Sequence, residues 1–411
     1  IKQNVPLTIG KKYKATLDIL DSSGRFRISV DGGSSSYYTY TSGNGTYSFY
    51  FTSTSVEFSV RGSLSDSAST FSIDNVSVKE IIDTNNIPRI SYDSNGDNGH
   101  ILLEPTSTNL IPYSEDFSQS AWTKTRCTID SGGHTSPSGE SNAFKMTATD
   151  DDARLQDGSE ATGVVYTQSI YVKSATGSNV SGQIDFTGTQ IQTFTATSEW
   201  QRVDTTSDDT RVGVVRVRIT NSGDKLYIWG AQLEALSYAS SYIPTLTGST
   251  ETRATETATG AGSADLINST EGVLYGEIAV LEGQTNINRY ISINNGTDDN
   301  FVSVHFRNNT NNQIRAIVRV SNSNQCDFTY NPSGSTSFAK FALKWKANDF
   351  ALWVNGVEIG SDTSGSTFSA NTLNNISFDS GQGGDDFYGK VKALAVFNEA
   401  LSDDELNNLT G

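Results

Sequence analysis

The chain holds few of the side chains that carry covalent or acid–base chemistry. Its 411 residues include three histidines (His100, His134, His305) and two cysteines (Cys127, Cys326). Two cysteines cannot make a disulfide framework, and they read as small apolar side chains. The GxSxG and HExxH patterns are absent. Ser337 and Lys340 form an SxxK match, but it sits in an alternating strand pattern with no KTG or SDN after it. Gly384 to Lys390 approaches a phosphate-binding loop, yet Val391 stands where a magnesium-binding Ser or Thr belongs, and no βαβ unit surrounds it. A glycosidase needs two carboxylates roughly 5–10 Å apart. The third module has Glu277 and Glu282 on and after its first strand, with no acid between them, and so lacks that pattern. His305, Arg307 and Ser303 share one face of a strand and are the only hint of a lyase. No partner base accompanies them, so they read as an ordinary strand face.

Hard oxygen ligands are better represented, and calcium is the ion they suit. Asp93, Asn95, Asp97 and Glu104 occupy positions 1, 3, 5 and 12 of an EF-hand-like loop, although position 6 is Asn98 rather than Gly. Asp150, Asp151 and Asp152 (with Asp157), Asp298 and Asp299, and Asp385 and Asp386 form further acidic loops. The same residue types dominate ordinary turns. No cofactor is required; calcium is the one ion the pattern admits. Sugar binding would use flat aromatic rings on loops. Tyr37, Tyr38 and Tyr40 in SSSYYTYTSG, and Tyr238 and Tyr242 in SYASSYIPT, are the candidates. The five tryptophans fall in apolar strands or at scaffold positions and read as core.

The elements that must position these residues are strands. Charged residues make up 18% of the chain, below the roughly 25% of an ordinary soluble domain, and aromatics make up 10%. The polar remainder is Gly, Ser, Thr and Asn, which rules out a helix bundle, and the aromatic content rules out general disorder. A net charge of −17 without a basic run excludes a nucleic-acid footprint. No run approaches the ~20 apolar residues of a membrane-spanning helix.

Period-two alternation recurs along the chain. Residues 1–80 carry about five such segments, among them Tyr13/Ala15/Leu17/Ile19 and Phe26/Ile28/Val30. Residues 81–108 break the rhythm and read as a connector. Residues 109–246 form a second β module that includes VVYTQSIYV and VVRVRI. Residues 247–268 are a Thr/Gly/Ala-rich linker. Residues 269–411 form a third module, in which Asn355-Gly356 signals a tight hairpin. Near its end LSDDELNNL predicts one short helix, with Ser402 and Glu405 as a capping box. The fold class is all-β: tandem antiparallel β-sandwiches of jelly-roll type, with one short C-terminal helix.

These segments carry a resemblance. NGTYSFYFTSTS, FSIDNVSVKEI, NLIPYSEDFSQSAWTK and IWGAQLEALSYASSYIPT resemble the carbohydrate-binding-module-like jelly rolls of bacteriophage tail fibres and related virion proteins. KFALKWKANDFALWVNGVEIG and DDFYGKVKALAVFNEALSDDELNNL are similar to concanavalin-A-like (laminin-G-like) lectin domains. The resemblance implies a non-catalytic virion adhesin, a tail-fibre or spike segment for receptor binding and host attachment, displayed on the extracellular virion surface. Its implied partners are host-surface polysaccharide or glycan and other virion proteins, in a homo-oligomer, trimeric by resemblance. It also implies calcium at the sheet rim near Asp385 and Asp386. An intact jelly roll has about eight strands. The first module is therefore expected to lack strands, either because Ile1 is not the natural start or because a neighbouring chain supplies them. Two alternatives stand: accessory carbohydrate-binding modules of a secreted polysaccharide-degrading enzyme, and a structural virion decoration or spacer.

Overall fold

Period-two alternation becomes antiparallel pairing throughout a computed structural model of the chain. The structure describes residues 2–4, 7–23, 26–29, 37–40, 44–53, 57–62, 70–80, 89–92, 96–158, 162–208, 213–246, 248–281, 288–307, 313–332 and 337–411. It divides into two compact units, residues 1–84 and 85–411.

In the first unit the strand Lys12–Leu20 buries Tyr13, Ala15, Leu17 and Ile19 on one face. It lies between Gly45–Thr52 and Ser72–Glu80 in a three-stranded sheet. A four-stranded sheet runs Lys2–Asn4, Glu57–Gly62, Phe26–Ser29, Tyr37–Tyr40. The sequence pattern suggested about five strands here, and the described residues hold seven. Tyr37, Tyr38 and Tyr40 account for part of the difference. They lie on a strand paired with Phe26–Ser29 rather than on a loop, as aromatic residues favour.

The second unit contains two sandwiches. In the middle one, a five-stranded sheet (Thr123–Thr125, Ala153–Asp157, Val215–Ile219, Val180–Phe186, Thr189–Ala196) faces a six-stranded sheet built around Ser141–Ala148, Lys225–Glu234 and Thr167–Ser174. Phe117, Trp122, Met146, Ile170, Phe186 and Ile228 fill the space between. In the C-terminal sandwich a seven-stranded sheet runs Val357–Asp362, Phe350–Val354, Ala339–Lys346, Glu271–Val280, Gly389–Phe397, His100–Leu103, Arg89–Ser91. A five-stranded sheet runs Ser323–Tyr330, Ile314–Val320, Phe301–Phe306, Arg289–Asn294, Asn375–Ser377. Their core holds Trp345, Phe341, Phe350 and Phe387. Asn355 and Gly356 both take positive φ (48° and 77°), as the tight hairpin turn between Phe350–Val354 and Val357–Asp362 requires. The one helix among the described residues is Asp403–Thr410. The Glu405 carboxylate accepts from the Ser402 backbone N–H (2.8 Å) and hydroxyl (2.6 Å), and Leu406 packs on Val273, Ala342 and Trp353.

Residues 89–103, read from sequence as connector, supply two strands to the C-terminal sheet, with Leu103 opposite Gly389. The short apolar run ILL finds an open sheet edge there, and the hydrogen bonds satisfy its backbone. Ser107–Asn109 then pairs with Glu251–Arg253. The middle sandwich is thus an insertion whose two ends lie side by side. An ionic knot ties those ends: Arg89 bridges Glu104 and Glu256, Arg253 reaches Glu104 (3.2 Å), and the Glu104 backbone N–H donates to Glu256 (2.8 Å). Glu104 also accepts from the Ser241 N–H of the middle sandwich (3.0 Å).

Candidate functional site

The five-stranded sheet of the C-terminal sandwich turns Ile291, Ile293, Val302, Val304, Ala316 and Val318 into the core. Alternation therefore places polar residues on its other face. Tyr290, His305, Arg315 and Thr329 lie opposite one another across four strands. The Tyr290 and His305 rings stack, with centroids 3.9 Å apart and planes 16° from parallel. Arg315 forks onto Asp327, with Nε donating to Oδ1 at 2.7 Å and Nη2 to Oδ2. The two planar groups match in the bidentate way that guanidinium and carboxylate favour. Arg319 lies 4.8 Å over the Phe301 ring and donates to Asn324 (2.9 Å). Arg307 donates to Gln313 (3.1 Å).

Behind this row the face is buried and internally bonded. Asn294 donates to the Ser292 and Ser377 hydroxyls (2.9 and 3.2 Å), and the Ser292 hydroxyl donates to the Asp379 carbonyl (2.8 Å). The Tyr290 N–H donates to the Asp385 carbonyl (3.1 Å), so the loop that follows Phe378 closes over part of the sheet. Gly381, Gly383 and Gly384 all take positive φ in that loop. Burial, with the Arg315 and Arg307 charges beside it, pushes His305 down to about 3. The ring is therefore neutral at physiological pH and supports Tyr290 as a flat, uncharged base. Burial and the Asp385 carboxylate push the Tyr290 hydroxyl up, so it stays protonated. A stacked aromatic pair edged by Arg–Asp and Arg–Asn pairs presents planar donors and acceptors beside an apolar ring. That is the chemistry that takes up a sugar's hydroxyl pairs and C–H face.

The residues singled out from sequence are placed otherwise. The side chains of Tyr37, Tyr38 and Tyr40 lie outside the described residues. Tyr238 is 9% exposed and packs with Leu102 and Leu281, so its ring is not displayed. Tyr242 packs against Trp229 (4.6 Å) and Tyr171 (6.4 Å), and its hydroxyl donates to Glu115 (3.1 Å). Both tyrosines close apolar contacts that a turn-rich string concealed. Asp93 and Asn95 lie outside the described residues, and Asp97 is exposed. Asp150 sits 4.0 Å from Arg126, and Asp151 accepts from the Ser222 N–H (2.8 Å). Asp152 pairs with Arg218 and Arg154. Asp386 accepts from the Tyr388 hydroxyl (3.1 Å), and burial followed by the Asp386 charge raises Asp385. Among the described residues no group of three or more His, Cys, Asp or Glu side chains converges to hold a metal. At Asp150–Asp152 the carboxylates face Arg126, Arg154, Arg218 and the Ser222 N–H.

Sequence reasoning passed over the buried charges of the middle sandwich. Arg216 and Arg218 share Asp185, which is fully buried, and Arg218 also holds Asp152. Burial and the neighbouring Arg218 and Arg154 push Arg216 down to about 10. The signal was in VVRVRI, where two arginines alternate with valines that must face the core.

Comparison with curated proteins returns no match. Among solved structures, the sialidase carbohydrate-binding module (CBM40) of Ruminococcus gnavus bound to α2,3-sialyllactose is 21% identical. It covers 38% of this chain and 94% of its own, with a TM-score of 0.31. The leech intramolecular trans-sialidase is 22% identical over 38% of this chain and 26% of its own (TM-score 0.31). The SAP-like pentraxin of Limulus polyphemus is 13% identical over 37% and 74% (TM-score 0.30). Residues 278–407, within the C-terminal sandwich, match the family model described as the concanavalin A-like lectin/glucanases superfamily.

Proposed function

We propose that the chain is a non-catalytic, glycan-binding segment of a virion adhesin, with the C-terminal sandwich as its lectin module. The match of residues 278–407 to the concanavalin A-like lectin/glucanases superfamily carries the glycan-binding part of this reading. The stacked Tyr290–His305 pair beside Arg315–Asp327 supports it, because it offers a ring and forked polar groups on one sheet face. Tail-fibre placement, display on the outer virion surface and trimeric assembly belong to the proposal through the sequence resemblance alone. The test is binding of the full chain to a host-derived glycan array, with Tyr290→Ala as the variant. Retained binding in Tyr290→Ala would move the site off this face, and a blank array would favour a spacer role.

The family description also includes glucanases, which keeps a second reading alive: accessory modules of a secreted polysaccharide-degrading enzyme. Release of reducing ends from polysaccharide by this chain would overturn the non-catalytic reading, and binding to the polysaccharide of a degradative enzyme without host-glycan binding would favour the accessory modules.

A further inference from the structure

A cleft of about 530 Å3 separates the middle sandwich from the edge of the C-terminal sandwich. Arg202 and Ser240 line one wall, and Ser91 and Lys390 line the other. A second hollow of about 320 Å3 shares Ser91 and Lys390 with the first and continues to Lys392, Phe338 and His100. The two form one groove with Lys390 at their junction. Volumes of this size hold ligands of several rings.

The charges in the groove are unevenly matched. Glu104 is already neutralised by Arg89 and Arg253. Lys392 is shared between Glu277 (3.5 Å) and the Phe338 ring (4.2 Å). Arg202 donates only to neutral oxygens, the Ser240 carbonyl (2.7 Å) and the Ser169 hydroxyl (2.8 Å), and lies 5.6 Å over Tyr171. Lys390 has no carboxylate partner among the described residues. The one other acid on the walls is the exposed Asp204. Two cations without ion pairs therefore sit in a groove on a chain of net charge −17. Such a groove focuses an anion from an otherwise repelling surface. At its far end His100 is 8% exposed. Its Nδ1 is committed to the Asn98 carbonyl (3.0 Å), and its Nε2 has no partner. The imidazole edge packs on Phe338, which is an apolar ring at the same end.

We propose that this groove is a second saccharide site, specific for anionic sugars. Lys390 and Arg202 take the acidic group, the serine-lined walls take the sugar hydroxyls, and Phe338 takes the ring face. The site is separate from the sheet face around Tyr290 and does not rest on it. The acidic group is a carboxylate or a sulfate, and the ligands below distinguish them.

Calorimetric titration of the full chain at low salt tests the proposal. The probes are an oligogalacturonate, a heparin oligosaccharide and a neutral malto-oligosaccharide of similar length. Expected is saturable binding of one or both acidic chains, weakened by salt, with the neutral chain at least about tenfold weaker. Lys390→Gln should weaken the acidic ligand by about tenfold, and Lys346→Gln, at an exposed pair with Glu271, should not. Thermal melts confirm that both variants are folded. Equal affinity for acidic and neutral chains overturns the proposal, as does an equal effect of the two substitutions.

Discussion

Glu104→Gln should cost the second unit about 3 kcal/mol of stability at pH 7. The substitution keeps the side chain's shape and removes only its charge. Glu104 is 4% exposed and lies between Arg89 (29%) and Arg253 (15%). Breaking a buried pair by removing one partner costs about 3–5 kcal/mol, because the other charge is left uncompensated. Arg89 keeps Glu256, whereas Arg253 keeps only the Ser241 and Pro105 carbonyls. One stranded guanidinium with some solvent access points to the low end of that range. The pH dependence supplies a second readout. Burial raises Glu104, but Arg253 and Arg89 outweigh it and hold the carboxyl below its ordinary range. A carboxyl that is more acidic folded than unfolded stabilises above its unfolded value, near 4.3. That contribution fades as pH falls through the lower folded value. Urea unfolding of wild type and variant at pH 7 and in steps toward pH 3 should therefore show a gap that closes in acid. A loss below about 1 kcal/mol at pH 7, within the range of a solvent-exposed pair, would refute the reasoning, and so would a gap that stays constant down to pH 3.

Gly272→Ala should destabilise the C-terminal sandwich by about 1–3 kcal/mol in denaturant unfolding. Its new methyl would lie 2.5 Å from the Phe397 carbonyl oxygen and 2.6 Å from the Trp345 ring. Burial pushes the Cys326 thiol up to about 12 and also raises Cys127. A thiol reagent at pH 8 should therefore leave Cys326 unmodified in the native chain and label both cysteines in guanidinium. Glu405→Ala removes the acceptor of both Ser402 donors and should loosen the first turn, read as faster hydrogen exchange across Asp403–Thr410.

The strands were legible because half-buried strands alternate, as in Tyr13–Ile19, and Asn355-Gly356 announced its turn through the one residue pair that readily takes positive φ twice. The capping box at Ser402 was equally local. What stayed hidden was pairing at long range. The run HILL gives no sign that its partner is Gly389–Val391, and Arg89 and Glu256 meet across 167 residues. Site residues were hidden for the same reason. Tyr290 and His305 stack because two strands share a register, and no spacing along one strand encodes that. Tyr238 and Tyr242 looked displayed because serines surround them, but their rings turn inward. His305 was noticed on its strand, and its neutral state follows only from the arginines that the fold brings beside it.

The insertion of the middle sandwich sets an order of assembly. During synthesis His100–Leu103 emerges long before Gly389–Phe397 and must wait with one edge open, since Arg89–Ser91 covers only the other. The intervening chain, if slack, would make that meeting slow, because distant contacts impose loop closure before they return any stabilisation. Pairing of Ser107–Asn109 with Glu251–Arg253 removes the slack. Once the middle sandwich has folded, its two ends are adjacent, and the strand waiting on one side is held near the one still being made. The middle sandwich thus works as a clasp for the C-terminal one, and damage to its core should first appear as misassembly of its neighbour.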